Sequence, residues 1–180
     1  MRFRQSGTGS HPYPVLNTRN IRLAPKKLSP NAACLIQELL FYIMIQTDKI
    51  AVVILNWNGR DMMRRFLPSV VQHSQPEGLV IVADNGSTDG SLEMLANEFP
   101  DVVRLPLRQN YGFAEGYNQA LKQIEAPYYL LLNSDVEVPA GWLAPLLAYM
   151  EQHPEVAACQ PKLLCQARKE EFEYAGGAGG

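Results

Sequence analysis

The chain has 180 residues, 47% of them hydrophobic and 19% charged, with a formal net charge of -2. This length and composition suit one ordinary globular core and argue against disorder, while the small negative charge leaves no broad basic field for nucleic acid, so any phosphate must be held by a local site. Cys34, Cys159 and Cys165 are odd in number and lack the spacing of paired ligands, which argues against a disulfide framework or a structural zinc site and fits a reducing, cytoplasmic setting.

Residues 1-31 mix Arg2, Arg4, Arg19, Arg22, Lys26 and Lys27 with Pro12, Pro14, Pro25 and Pro30 and show neither helical nor strand periodicity. The apolar stretch from Ala32 to Ile45 is interrupted by Gln37 and Glu38 and is shorter than the ~20 residues of a membrane helix. A signal peptide fits poorly, because the basic region is long and no small-residue cleavage site follows. Residues 1-47 are therefore expected to be an extension that is poorly ordered, or that reflects a translation start placed ahead of Met44. The domain proper is expected over 48-180.

From Ile50 the pattern alternates between strand and helix. The β-branched run Ile50 to Leu55 reads as a parallel strand covered on both faces. Met62, Met63, Phe66, Leu67, Val70 and Val71 then form one helical stripe, which Pro68 is expected to kink or shorten. Leu79 to Ala83 is a second buried strand, and Leu92, Leu95, Ala96 and Phe99 give a second helix opened by Ser87, Thr88 and Asp89. Val102 to Leu105 reads as a third strand. Phe113, Tyr117, Ala120, Leu121 and Ile124 define a third helix, Tyr128 to Leu132 a fourth strand, and Leu143, Leu146, Leu147 and Met150 a fourth helix. Val156 to Gln160 is expected to add one more strand. Such alternation requires crossover connections, hence an open, mostly parallel α/β sheet with helices on both faces. Ligands of such sheets bind beyond the strand C-termini.

Three polar loops follow the strands: Asn56 to Gly59, Asp84 to Ser91, and Asn133 to Val138. Neither G-x-G-x-x-G nor G-x-x-x-x-G-K-S/T is present, so hydride transfer and ATP hydrolysis lose ground. Asp84 can accept hydrogen bonds from a base N–H or a ribose hydroxyl, and Trp57 offers a flat face at the same edge. Asp135 can hold a divalent cation whose other sites are filled by phosphate oxygens and water. A cation there would stabilise charge developing on a departing diphosphate.

The blocks VVILNWNG, IVADNGSTDGS, NYGFAEGYNQAL and YYLLLNSDVEV, in that order, resemble the family 2 glycosyltransferases, in particular a branch that includes rhamnosyltransferase-like enzymes of bacterial surface polysaccharides. The resemblance covers about Lys49 to Gly180. It implies a GT-A fold incomplete at the C-terminus and a UDP- or dTDP-sugar donor. It also implies a glycan or lipid-linked acceptor, inversion, and a divalent metal, Mn or Mg. Peripheral association with the inner face of the membrane would accompany a lipid-linked acceptor. Residue by residue it places Asn56, Trp57 and Asn58 beside the base and Asp84 on it, with Asn110, Gly112 and Asn118 near the donor sugar and diphosphate. Asp135 falls on the metal-binding aspartate, while Asn133 stands where many members carry another acid; Glu137 is a candidate helper.

Plainer readings compete with each assignment. Asp84 and Asn85 also suit a turn before Gly86, Ser87 or Asp89 a helix cap, Asp135 a capped turn, Trp57 the core, and Asn110 and Asn118 ordinary turn and surface positions. His11, His73 and His153 read as surface residues without metal-ligand spacing. The acids Glu170, Glu171 and Glu173 lie in a charged run that reads as a solvated loop, so no general base is assigned. The resemblance makes the chain a fragment lacking the acceptor half, expected to bind a nucleotide sugar and to transfer it poorly. A sugar nucleotidyltransferase would carry a Gly-rich basic loop near the first strand, where only Gly59 and Arg60 stand. A non-catalytic nucleotide-binding module is the remaining alternative.

Overall fold

A computed structural model describes residues 44–168 and 170–174. The basic region, His11, Cys34, the apolar stretch up to residue 43 and the terminal glycines lie outside the described residues. Twelve elements follow in order: β1 (Ile45–Gln46), β2 (Ile50–Asn56), α1 (Arg60–His73), β3 (Gly78–Asp84), α2 (Ser91–Glu98), β4 (Val103–Pro106), α3 (Phe113–Leu121), β5 (Ile124–Glu125), β6 (Tyr128–Leu132), α4 (Leu143–Gln152), β7 (Leu163–Leu164) and β8 (Phe172–Tyr174).

The main sheet has the order β4-β3-β2-β6, and every pair in it is parallel. Its central strands are buried on both faces, which is why they read as unbroken apolar runs and not as alternations. Successive side chains still point to opposite faces. Val52, Ile54, Val80 and Val82 pack with Met63, Leu67 and Val70 of α1, Met94 and Leu95 of α2, and Leu143 of α4. Ala51, Val53, Leu79, Ile81 and Ala83 pack on the other face with Tyr117 and Ala120 of α3 and with Ile45 and Ile124. Helices thus cover both faces, as the alternating pattern requires.

Helix α1 runs unbroken through Pro68. The proline removes one N–H, and Ser69 Oγ donates to Phe66 O at 2.9 Å within the same turn. The expected helix ending at Ile124 stops at Leu121, and Ile124 instead pairs in parallel with Ile45 as part of β5 and β1. Two-residue strands carry no periodicity for a sequence reading to detect. Val156–Gln160 forms no strand: Val156 N–H closes a turn onto His153 O and the rest is exposed. Among the described residues its apolar run pairs with no other strand, whereas Leu163–Leu164 pairs antiparallel with Phe172–Tyr174. No helix among the described residues is long and apolar enough to cross a membrane.

Candidate functional site

Strand register decides where the polar loops emerge. Asn56 lies beside Asp84, which lies beside Pro106, and on the other side Ile54 pairs with Leu132. The four strands therefore finish on one edge, and the loops after them share it. Backbone bonds continue the ladder past the strands, from Asn85 N–H to Asn56 O at 2.7 Å and from Leu107 N–H to Asp84 O at 2.8 Å.

Asp84, expected to meet a base directly, is only 1% exposed. One carboxylate oxygen accepts from Asn56 Nδ2 at 2.9 Å and the other from Ser87 N–H at 3.0 Å. Asn56 is equally buried; its amide also donates to Ser87 Oγ at 3.0 Å, and its oxygen accepts from Gly59 N–H at 3.1 Å. Asn58, exposed and with φ of 52°, donates its N–H to Ser87 Oγ at 2.9 Å and accepts from Thr88 N–H at 2.8 Å. The loop after β2 and the loop after β3 are therefore one hydrogen-bonded unit. Buried carboxylate and amide groups need such partners.

Asn85 performs the corresponding task on the other side. Its Nδ2 donates to Asn110 Oδ1 at 3.1 Å and to Gly112 O at 2.9 Å, and its Oδ1 accepts from Tyr111 N–H at 2.9 Å. Consecutive residues at a strand end point opposite ways, so Asp84 and Asn85 brace the two neighbouring loops at once. The approach leaves no room at Gly86: with φ of 76°, a Cβ there would meet backbone atoms of Gln109 and Asn110 at 2.8 and 2.9 Å. Gly112, with φ of 75° and ψ of -169°, sits in a region only glycine reaches at little cost and sets the entry to α3.

Asp89 ties two helix starts together. It accepts from Arg60 N–H at 2.9 Å and from Ser91 N–H at 3.0 Å, and also takes the Ser91 hydroxyl. Partial burial pushes its carboxyl up, but the hydrogen bonds from Ser91 and Arg60 outweigh it and hold the group below its ordinary value of 3.8. Asp89 thus serves both helix starts from just outside the cap positions, which are held by Gly59 and Gly90.

What this scaffold presents to solvent is Trp57, 59% exposed and not a core residue, together with Asn110, Gly112, Asn133, Asp135 and Glu137. Phe113, expected on the buried face of α3, is 69% exposed because it is the first residue of that helix, at the rim of the edge. Asn118 is exposed one turn further along α3 and donates to Glu115 at 3.2 Å. The Glu115 carboxyl is held below its usual range by Gln119 first and Asn118 second. His73 is no plain surface residue: its Nδ1 lies 2.8 Å from Val138 O.

The sequence that builds this edge matches a known family. The sequence model of glycosyl transferase family 2 matches residues 51–175. The chain belongs to that family. It is 27% identical over 126 residues to the N-acetylglucosaminyl-diphospho-decaprenol L-rhamnosyltransferase of Mycobacterium tuberculosis, a match covering 64% of this chain and 41% of that protein. It is 24% identical over 126 residues to a teichoic acid poly(glycerol phosphate) polymerase of Staphylococcus epidermidis, covering 60% of this chain and 18% of that protein. Among solved structures, S. aureus TarS in complex with UDP-GlcNAc superposes with a TM-score of 0.52 at 26% identity, covering 59% of this chain and 32% of the other. A mannosyltransferase from Pyrobaculum calidifontis superposes with a TM-score of 0.50 at 20% identity over 66% of this chain and 41% of the other, a likeness of fold. The fold of this family 2 member is GT-A, and the chain spans less than half the length of these relatives.

No group of three or more His, Cys, Asp or Glu side chains is preassembled for a metal among the described residues. The donors present on the loop after β6 are nonetheless of the right chemistry. Asp135, Asn133 and Glu137 are exposed oxygen ligands, and a hard cation such as Mg²⁺ is often bound through one or two carboxylates, with water and substrate phosphates completing the shell. Asn85, Ser87, Ser69, His73 and Tyr117 were not among the expected site residues. Only the D-N pair at a strand end carried a readable signal, since one of two adjacent polar residues there must face the next loop.

Proposed function

We propose that this family 2 member binds a nucleoside diphosphate sugar, UDP- or dTDP-linked, at the edge formed by the loops after β2, β3, β4 and β6. It transfers the sugar with inversion to a hydroxyl of a glycan or lipid-linked acceptor in bacterial surface polysaccharide synthesis. The observation that carries this reading is the pair of buried braces, Asp84 and Asn85, which fix three loops around an edge whose exposed groups are an aromatic ring, amides and two carboxylates. Of the relatives, TarS has been solved with UDP-GlcNAc and with UDP, which supports a uridine diphosphate as the first donor to try.

The roles divide by exposure. Trp57 supplies a stacking face for the base. Asn110 and the backbone around Gly112 face the sugar and diphosphate. Asp135, with Asn133 and Glu137 beside it, would hold Mn²⁺ or Mg²⁺, which supplies charge neutralisation for the leaving diphosphate. Asp84 and Asn56 are assigned to holding the loops in shape, so that donor groups are pre-placed and little is spent on ordering them at binding. The acceptor hydroxyl must be deprotonated as it attacks, and that base is assigned to no described residue. The cytoplasmic setting and association with the inner membrane face belong to the same proposal.

The test is calorimetry of UDP and dTDP with and without Mn²⁺, followed by release of diphosphate from a panel of nucleotide sugars. Asp135→Ala should abolish the gain from Mn²⁺ and leave metal-free binding of the nucleotide in place. Absence of binding to every nucleoside diphosphate tried would overturn the reading.

A further inference from the structure

The loop that carries Asp135 is fastened at both ends by side chains from helices on opposite faces of the sheet. At its start, Tyr117 of α3 donates its hydroxyl to Leu132 O at 3.1 Å. Tyr117 is 6% exposed, and its ring takes Phe113 edge-on at a centroid distance of 5.2 Å. Burial pushes the phenol above its ordinary value, against a smaller opposing hydrogen bond with the Leu55 backbone, so the hydroxyl keeps its proton and remains a donor at neutral pH.

At the far end the fastened residue is Val138, 5% exposed. Its N–H donates to Ser69 Oγ at 3.3 Å, and Ser69 in turn donates to Phe66 O at 2.9 Å within α1. Its carbonyl lies 2.8 Å from His73 Nδ1. A carbonyl only accepts, so Nδ1 is the nitrogen that carries hydrogen. Between the two anchors Asn133, Asp135 and Glu137 are exposed, while the anchors themselves are buried.

We propose that Tyr117, Ser69 and His73 are positioning residues that hold the span from Leu132 to Val138 fixed, so that Asp135 is presented to a cation and diphosphate without reordering. This rests on the donor-site reading above. None of the three needs to touch the donor. Outer partners of a ligating group act through its orientation, and removing one typically lowers metal affinity by about 10 to 100-fold.

The experiment uses Tyr117→Phe, Ser69→Ala, His73→Leu and His73→Asn in the full chain. Asparagine keeps a side-chain N–H close to the place of His Nδ1, so His73→Asn is the rescue. Each variant is measured for UDP affinity with and without Mn²⁺, for bound Mn²⁺ by electron paramagnetic resonance in the presence of UDP, and for hydrogen exchange across 133–138. Metal-free UDP affinity should stay within about twofold of wild type, as for a distant, uncoupled site. The Mn²⁺-dependent gain should fall about tenfold in Tyr117→Phe and His73→Leu, the lower end for outer partners, with faster exchange at 133–138 and recovery in His73→Asn. Wild-type gain and wild-type exchange in all variants would overturn the positioning role. So would equal loss of metal-free and metal-dependent binding, which is the mark of general destabilisation. If wild type binds UDP but shows no Mn²⁺-dependent gain, the metal reading of Asp135 fails and the positioning role falls with it.

Discussion

Asp84→Ala separates a residue that holds the site from one that touches the ligand. Removing the carboxylate leaves Ser87 N–H without its acceptor, while Asn56 Nδ2 retains only Ser87 Oγ. Hydrogen bonds to a charged group contribute about 1.5–3 kcal/mol each; against two of them stands the relief of no longer burying a charge, and we set the net loss at about 2–4 kcal/mol. For a domain of this size that corresponds to a fall in melting temperature of about 10 °C. Asp84→Asn is the finer probe. Its amide can satisfy Ser87 N–H only by turning an NH₂ toward Asn56 Nδ2, and if Asn56 flips in response it gives up Gly59 N–H. A smaller loss of about 1–3 kcal/mol follows from one donor left facing a donor. Thermal denaturation and calorimetry with UDP, run on the same preparations, decide the matter: stability and affinity should fall together. If either variant melted like wild type yet no longer bound nucleotide, Asp84 would be a direct ligand of the base and not a brace.

Three further outcomes follow from the same geometry. Trp57→Ala should leave the melting temperature nearly unchanged, since the ring is 59% exposed, but should weaken UDP binding about fivefold or more, the lower end of a base-stacking contribution; equal affinity in calorimetry would remove Trp57 from the site. Gly116→Ala places a Cβ 2.9 Å from Leu55 Cδ2 and 3.0 Å from Asn85 Nδ2, so overpacking of about 1–3 kcal/mol should outweigh a helix-propensity gain of about 1 kcal/mol. Hydrogen exchange at 110–112 should speed up as Asn85 is displaced, and unchanged exchange would contradict this. For Asp89 the folded carboxyl lies below its ordinary value of 3.8, so its contribution is present above that pH and lost as pH falls through the depressed folded value; acid denaturation of wild type should therefore be steeper below about pH 4 than that of Asp89→Asn, and superimposable acid curves would refute the assignment.

Much of this architecture was readable because the chemistry of burial leaves a coarse mark. Strands covered on both faces must be apolar throughout, so Ile50 to Leu55 and Leu79 to Ala83 announced a parallel sheet, and a parallel sheet announces a ligand edge. The division of labour at that edge was not readable. Asn56, Asn58, Asn85 and Asn110 are the same residue type in similar loops, yet two are buried and two are exposed. The difference arises from strand register and loop curvature, which a linear pattern does not contain. Phe113 misled for a related reason: helical spacing assigns a face, but the first residue of a helix projects from its end. Ser69 and His73 were invisible because their partner, Val138, lies far along the chain and is met only through tertiary packing.

The two aspartates at this edge illustrate how environment divides identical chemistry. Asp84 is buried, and its oxygens already accept from donors of two neighbouring loops. Its charge is spent inside the protein and offers little attraction to anything outside. Asp135 is exposed at the middle of a loop whose ends are fixed. On the proposed reading, a carboxylate so placed has its lone pairs open to a cation, with no internal partner to displace. A negatively charged diphosphate would be repelled by open carboxylates in the absence of metal. Internal donors satisfy Asp84 and take its charge out of that repulsion, whereas Asp135 and Glu137 stay exposed on the loop after β6, where on the proposed reading a cation would offset them.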